Sequence, residues 1–150
     1  MSLRVLVVDD HDVVRQGVRL ILRSRSDWQI CGEASNGIEA LAKAAELKPD
    51  LIVLDISMPG KDGLGVAAEL HARGDAAKVL ILTMHDSTEL ARAVKKAGAH
   101  GYVTKSHAAR DLVTAIQSIV DGKDFFLSET APGKSGNPTT GQTGGDRILQ

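Results

Sequence analysis

Five short runs of Val, Ile and Leu, at Leu3–Val8, Gln29–Cys31, Leu51–Leu54, Val79–Leu82 and Gly101–Val103, set the tightest limit on what this chain can fold into. Each is too short for a helix. Apolar runs without in/out alternation read as strands buried on both faces of a parallel sheet. Their starts recur at roughly 22 to 28 residues, which is what a strand, a loop and a crossover helix need. The segments between them carry helical period: Val14, Val18 and Ile21 share one face, as do Leu112, Ile116 and Ile119. Asn36 followed by Glu39, and Asp86 followed by Glu89, predict capping boxes that open the second and fourth helices. The alternation predicts an α/β fold, a doubly wound five-stranded parallel sheet with helices on both faces, from about Leu3 to about Val120. Spacing alone leaves the strand order open.

Composition narrows the function classes. With 18 Lys and Arg against 19 Asp and Glu in 150 residues, a net charge of -1 leaves no electrostatic footprint for DNA or anionic lipid. Hydrophobic residues at 43% and charged ones at 25% suit a soluble globular domain rather than a disordered or membrane one. The single Cys31 makes no internal disulfide, and no apolar run approaches a signal or bilayer-spanning length. A cytoplasmic protein with no membrane partner is expected. From Ser128 to Gly145 the sequence is crowded with Gly, Pro, Ser and Thr, so residues 128–150 are expected to form a flexible linker or tail behind a domain of residues 1–127.

In open α/β sheets ligands bind beyond the carboxyl ends of the strands. Strand one runs into Asp9 and Asp10, strand three into Asp55, strand four into Thr83 and strand five into Lys105. With strands one and three adjacent, three carboxylates, a hydroxyl and an ammonium would share one rim. Carboxylates that close repel one another unless a cation neutralises them. A hard divalent ion answers that need, and Mg2+ is favoured because it keeps several waters and accepts phosphate oxygens. A carboxylate beside such an ion can act as nucleophile towards a phosphoryl group. Lys105 and Thr83 would then serve the phosphoryl oxygens.

Three runs carry a family resemblance: Val5-Leu6-Val7-Val8-Asp9-Asp10-His11, Pro49 through Asp55-Ile56-Ser57-Met58-Pro59 to Gly63, and Ala97-Gly98 through Tyr102-Val103-Thr104-Lys105. In this order they resemble the receiver domain of bacterial two-component response regulators, over about Leu3 to Leu127. Details around Asp10-His11 and Leu82–Asp86 resemble the subfamily with a LuxR/NarL-type helix-turn-helix. The resemblance implies a flavodoxin-like (CheY-like) sheet and a set of roles. Asp55 would accept the phosphoryl group from a sensor histidine kinase. Asp10, Asp55 and the Ser57 backbone carbonyl would ligate Mg2+, with Asp9 acting through a water. Lys105 would pair with Asp55, Thr83 would swing towards the phosphate, and Tyr102 would follow it inward. Ser57 and His85 stand where the family varies its dephosphorylation rate. Homodimerisation on phosphorylation and transcriptional output are further implications. No helix-turn-helix is legible after the linker, so the DNA-binding domain is expected to be absent from this chain; a stand-alone receiver acting by phosphorelay or protein docking is the alternative.

Two other classes share parts of this pattern. A flavin-binding flavodoxin is disfavoured by 3% aromatic residues and by three acids that would repel the cofactor's phosphate. A phosphatase of the haloacid-dehalogenase type places a second Asp two residues after its nucleophile, where this chain has Ser57. The chain is accordingly expected to be a phosphoacceptor switch that catalyses only its own phosphotransfer and dephosphorylation, and not a turnover enzyme. Trp28, Phe125 and Phe126 read as packing residues, and His11, His71, His85, His100 and His107 lack the spacing of a metal site.

Overall fold

The computed structural model describes residues 2–126; the expected domain and tail boundary lies outside them. Five strands, β1 (Leu3–Val8), β2 (Trp28–Ala34), β3 (Leu51–Asp55), β4 (Lys78–Thr83) and β5 (Gly101–Thr104), alternate with five helices. The helices are α1 (Asp12–Leu22), α2 (Gly37–Leu47), α3 (Gly63–Ala72), α4 (Thr88–Lys96) and α5 (Ala108–Val120), the last preceded by a 3-10 turn at Lys105–His107. The sheet is parallel throughout, in the order β2-β1-β3-β4-β5. β1 and β3 are therefore neighbours, which brings Asp9 and Asp10 beside Asp55.

Alternate residues of each buried strand feed two cores. Leu6, Val8, Ile52, Leu54 and Ile81 pack under α2, α3 and α4. Val5, Val7, Val53, Leu80 and Val103 pack under α1 and α5, against Val18, Leu112 and Ile116. A strand covered on both faces must be apolar at every position, and all five residues of β3 are buried. β2 extends beyond the Gln29–Cys31 run because it is the sheet's edge, where Gln29 and Glu33 reach solvent and no apolar run is needed.

The two expected caps fare differently. Asn36 caps α2, accepting a 2.8 Å hydrogen bond from the Glu39 N–H, while the Glu39 carboxylate reaches back to the Ser35 N–H at 2.8 Å. At α4 the cap is Ser87, whose hydroxyl accepts from the Leu90 N–H at 3.0 Å. Asp86, one residue earlier, is instead the acceptor for the Tyr102 hydroxyl. A serine oxygen satisfies the free amide as well as an aspartate does, and the buried phenol needs the carboxylate.

After α5 the chain turns back to the sheet. Phe125 bridges Gly101, donating its N–H to the His100 carbonyl at 2.9 Å and accepting from the Tyr102 N–H at 3.0 Å. A Cβ on residue 101 would lie inside van der Waals distance of the Phe125 carbonyl oxygen, so only glycine permits this approach. Phe126 then buries its ring edge-on against Tyr102, with centroids 5.9 Å apart.

A candidate acidic site at the carboxyl ends of the strands

The ends of β1, β3 and β5 converge on one rim. Asp9 and Asp55 are almost wholly buried, at 0% and 1% exposure, and Asp10 is partly open. Gly63, at the start of α3, packs so closely on the end of β3 that a Cβ there would stand 2.9 Å from the Ile56 Cα. The absence of a side chain at that point lets the loop after Asp55 fold tightly over the strand end.

Lys105 lies between the two buried acids, its Nζ 3.0 Å from Asp9 Oδ2 and 3.1 Å from Asp55 Oδ1. The Ser57 N–H also donates to Asp55 Oδ1, at 3.3 Å. Asp55 Oδ2 is buried and accepts no hydrogen bond among the described residues. Burial raises the Asp55 carboxyl above its ordinary value; the Lys105 hydrogen bond opposes this and repulsion from Asp9 adds to it. Burial works against the Lys105 ammonium too, but its hydrogen bonds to Asp9 and Asp55 outweigh that and hold its pKa above the ordinary value.

The ammonium thus serves Asp9 and Asp55, and the group beside Asp10 is one that spacing did not disclose. His11 Nδ1 stands 3.2 Å from Asp9 Oδ1 and 3.1 Å from Asp10 Oδ1. One ligand atom from each of Asp9, Asp10, His11 and Asp55 fits within a 4.8 Å span, so the cluster can hold a metal ion. Ordinary metal-site spacings presume ligands on one helix or hairpin. Here the tight turn between β1 and α1 folds three consecutive residues together.

Thr83 and Tyr102 occupy the flank of the site. The Thr83 hydroxyl donates to the His85 carbonyl at 3.2 Å and accepts the His85 N–H at 3.3 Å, so it is engaged with its own loop. His85 meets the site through its backbone, and the residue itself is exposed. The Tyr102 ring is fully buried in this structure, with its hydroxyl held by Asp86. A larger hollow of about 750 Å³ lies at the opposite ends of the strands, lined by Leu3, Trp28, Pro49 and Val120 among others, and holds none of these residues.

Because the folded chain binds the Asp55 proton more tightly than an unfolded one does, ionising Asp55 costs stability as pH rises through its raised pKa. Asp55→Asn should therefore be more stable than wild type at pH 7, by about 1–2 kcal/mol given the unsatisfied buried oxygen. Urea melts should show that gain shrinking as pH falls through the raised Asp55 pKa and gone below about pH 4, where the acid is neutral in both states. A gain that persists undiminished at low pH would refute the electrostatic cause.

A parallel five-stranded sheet of this order, with acids gathered at the carboxyl ends of β1 and β3 and a lysine after β5, defines the CheY-like receiver class. The response regulator receiver domain profile matches residues 5–117, and the chain belongs to that family. Among curated proteins it is 37% identical over 129 residues to the response regulator GacA of Pseudomonas viridiflava, covering 86% of this chain and 60% of that protein. It is 38% identical over 130 residues to the response regulator VraR of Staphylococcus aureus, covering 86% and 62%. The chain thus spans about three fifths of the length of these relatives. Among solved structures, a LuxR-family two-component response regulator from Aurantimonas sp. SI85-9A1 superposes with a TM-score of 0.81 at 35% identity, over 87% of this chain and 94% of that one. The isolated receiver domain of RcsB from Salmonella enterica serovar Typhimurium, in the presence of the phosphomimetic BeF3-, gives 0.77 at 26% identity, over 84% and 94%. No helix among the described residues is long and apolar enough to cross a membrane.

Proposed function

We propose that this chain is a cytoplasmic phosphoacceptor switch, taking a phosphoryl group onto Asp55 from the phosphohistidine of a sensor kinase or from a small acyl phosphate. The observation that carries the reading is Asp55 itself: a buried carboxylate with Oδ1 held by Lys105 and Ser57 and with Oδ2 accepting no hydrogen bond among the described residues. An oxygen kept unbonded beside an ammonium is available as a nucleophile.

In this reading Asp55 Oδ2 forms a bond to phosphorus as the bond from phosphorus to the donor breaks, leaving an acyl phosphate and a free imidazole or carboxylate. Lys105, already against Asp55, neutralises one phosphoryl oxygen. The Thr83 hydroxyl gives up the His85 carbonyl for a second oxygen. That exchange is the switch, because it releases the loop that Asp86 ties to Tyr102. Ser57, bonded to Asp55, and His85, whose backbone is bonded to Thr83, would tune the approach of hydrolytic water.

The acidic cluster fits a divalent ion, since it gathers three carboxylates, only two of them on the lysine, and a buried orphan oxygen. Asp10, Asp55 and the Ser57 carbonyl would hold Mg2+ directly and Asp9 through a water; when bound, the ion supplies the positive charge that lets an anionic donor approach. Output by transcription, through a DNA-binding domain, is supported by the LuxR-family structural neighbour; homodimerisation on phosphorylation is part of the same reading.

Incubation with acetyl phosphate tests the reading by intact mass. The expected result is a gain of one phosphoryl group in Mg2+, none in EDTA, and release of phosphate by hydroxylamine with a hydroxamate left on Asp55, as an acyl phosphate requires. No gain from acetyl phosphate or from a phosphorylated kinase would overturn it.

A further inference from the structure

We infer that Arg15 is a positioning residue for the cation site, holding the Asp9–Asp10 turn in place through the Asp9 carbonyl while ion pairs with Glu33 and Asp12 offset its own charge. The inference rests on the metal-binding reading of the acidic cluster and goes beyond it to a residue that touches neither metal nor phosphate.

Arg15 lies one turn into α1, and its side chain is only 15% exposed. Its guanidinium joins three elements. Nη1 donates to the Asp9 backbone carbonyl at 2.6 Å, Nε donates to Glu33 Oε1 on β2 at 3.0 Å, and Nη2 meets Asp12 in the first turn of α1. The Asp9 N–H is separately held by the Ala34 carbonyl at 3.1 Å.

The Asp9 carbonyl belongs to the peptide plane that joins Asp9 to Asp10. Holding that oxygen fixes the plane, and with it the directions in which the two carboxylates leave the backbone. Lysine could hold the carbonyl or the carboxylate, whereas the guanidinium fork holds both at once. A cation placed behind a metal site would ordinarily repel the metal. Glu33 and Asp12 together remove that objection: Glu33 is gripped by Arg15 and Arg19, and Asp12 pairs with Arg15, so two carboxylates balance the two guanidiniums. Groups that orient first ligands in this manner are worth about 10- to 100-fold in metal affinity.

Mn2+ titration, followed by the electron paramagnetic resonance of the free ion, tests this on the whole chain, with circular dichroism melts run in parallel. Wild type should bind one Mn2+, and Asp10→Asn should weaken it. Arg15→Ala should raise the Mn2+ Kd by about tenfold or more while the chain remains folded at the assay temperature. Arg15→Lys should recover part of the affinity. Glu33→Gln should weaken binding too, with a loss that grows at low salt because Asp12 alone then balances the Arg15 and Arg19 charges. Unchanged Mn2+ affinity in a folded Arg15→Ala chain overturns the inference. If that variant does not fold, wild-type affinity in both Arg15→Lys and Glu33→Gln overturns it equally. A wild type that binds no Mn2+ overturns the metal reading of the site, and the inference with it.

Discussion

Asp55→Asn is expected to gain no phosphoryl group from acetyl phosphate at any Mg2+ concentration, and Lys105→Ala to gain it at least about 100-fold more slowly than wild type. The two losses differ in kind. The asparagine variant lacks the nucleophile. The alanine variant keeps it but leaves two buried carboxylates, Asp9 and Asp55, facing one another without the ammonium that now lies 3.0 and 3.1 Å from them. Removing one donor from a developing phosphoryl oxygen costs about 10²- to 10³-fold in rate. Removing the same charge also raises the Asp55 pKa further, since burial and Asp9 already push it up. The residual rate of Lys105→Ala should therefore climb with pH over a range where wild type is flat, as more Asp55 becomes carboxylate. Time courses of intact mass at several pH values measure both effects. A Lys105→Ala rate within a few-fold of wild type would mean that the phosphoryl charge is met by another group.

The largest loss of stability is expected far from this chemistry, at Phe126. Its ring is 1% exposed, stacks edge-on against Tyr102 and lies under the Lys95 ammonium, 4.8 Å from the ring centroid. Truncating a buried Phe to Ala costs about 3–5 kcal/mol, from lost transfer energy and the cavity left behind. That is a large share of the roughly 5–15 kcal/mol that holds a domain of this size together. Urea denaturation of Phe126→Ala should show the fall as a lower midpoint at unchanged slope. Gly101→Ala should reproduce part of it without touching the ring, because the new Cβ meets the Phe125 carbonyl and lifts the returning segment from the sheet. A loss below about 1 kcal/mol in Phe126→Ala, the level of a surface change, would show that this segment does not pack on β5 in solution.

Asp86 shows why short-range signals mislead at helix ends. Its spacing to Glu89 is that of a capping box, yet Ser87 takes the cap and Asp86 receives the Tyr102 hydroxyl. The helix needs one oxygen acceptor near its first amides, and two adjacent residues could provide it. A phenol sixteen residues away decided which one was free. His11 was illegible for a related reason: its closeness to Asp9 and Asp10 comes from the turn between β1 and α1, and no pattern of separated ligands records it.

What the sequence determined by itself follows from period and polarity. Buried strands must be apolar at every position, so β1, β3 and β4 were legible as runs. Amphipathic helices declared their faces, and the polar residues ending each run named Asp9, Asp10, Asp55, Thr83 and Lys105. Tertiary structure alone decided the order β2-β1-β3-β4-β5, which converts residues 46 positions apart into neighbours across the β1–β3 junction. It decided that Lys105 lies between two acids, that the Thr83 hydroxyl is turned towards His85, and that Arg15 and Glu33 meet behind the site. The physical reason is range. Burial and periodicity act on each segment separately, whereas hydrogen bonds and charge pairs depend on distances set only when all five strands lie side by side.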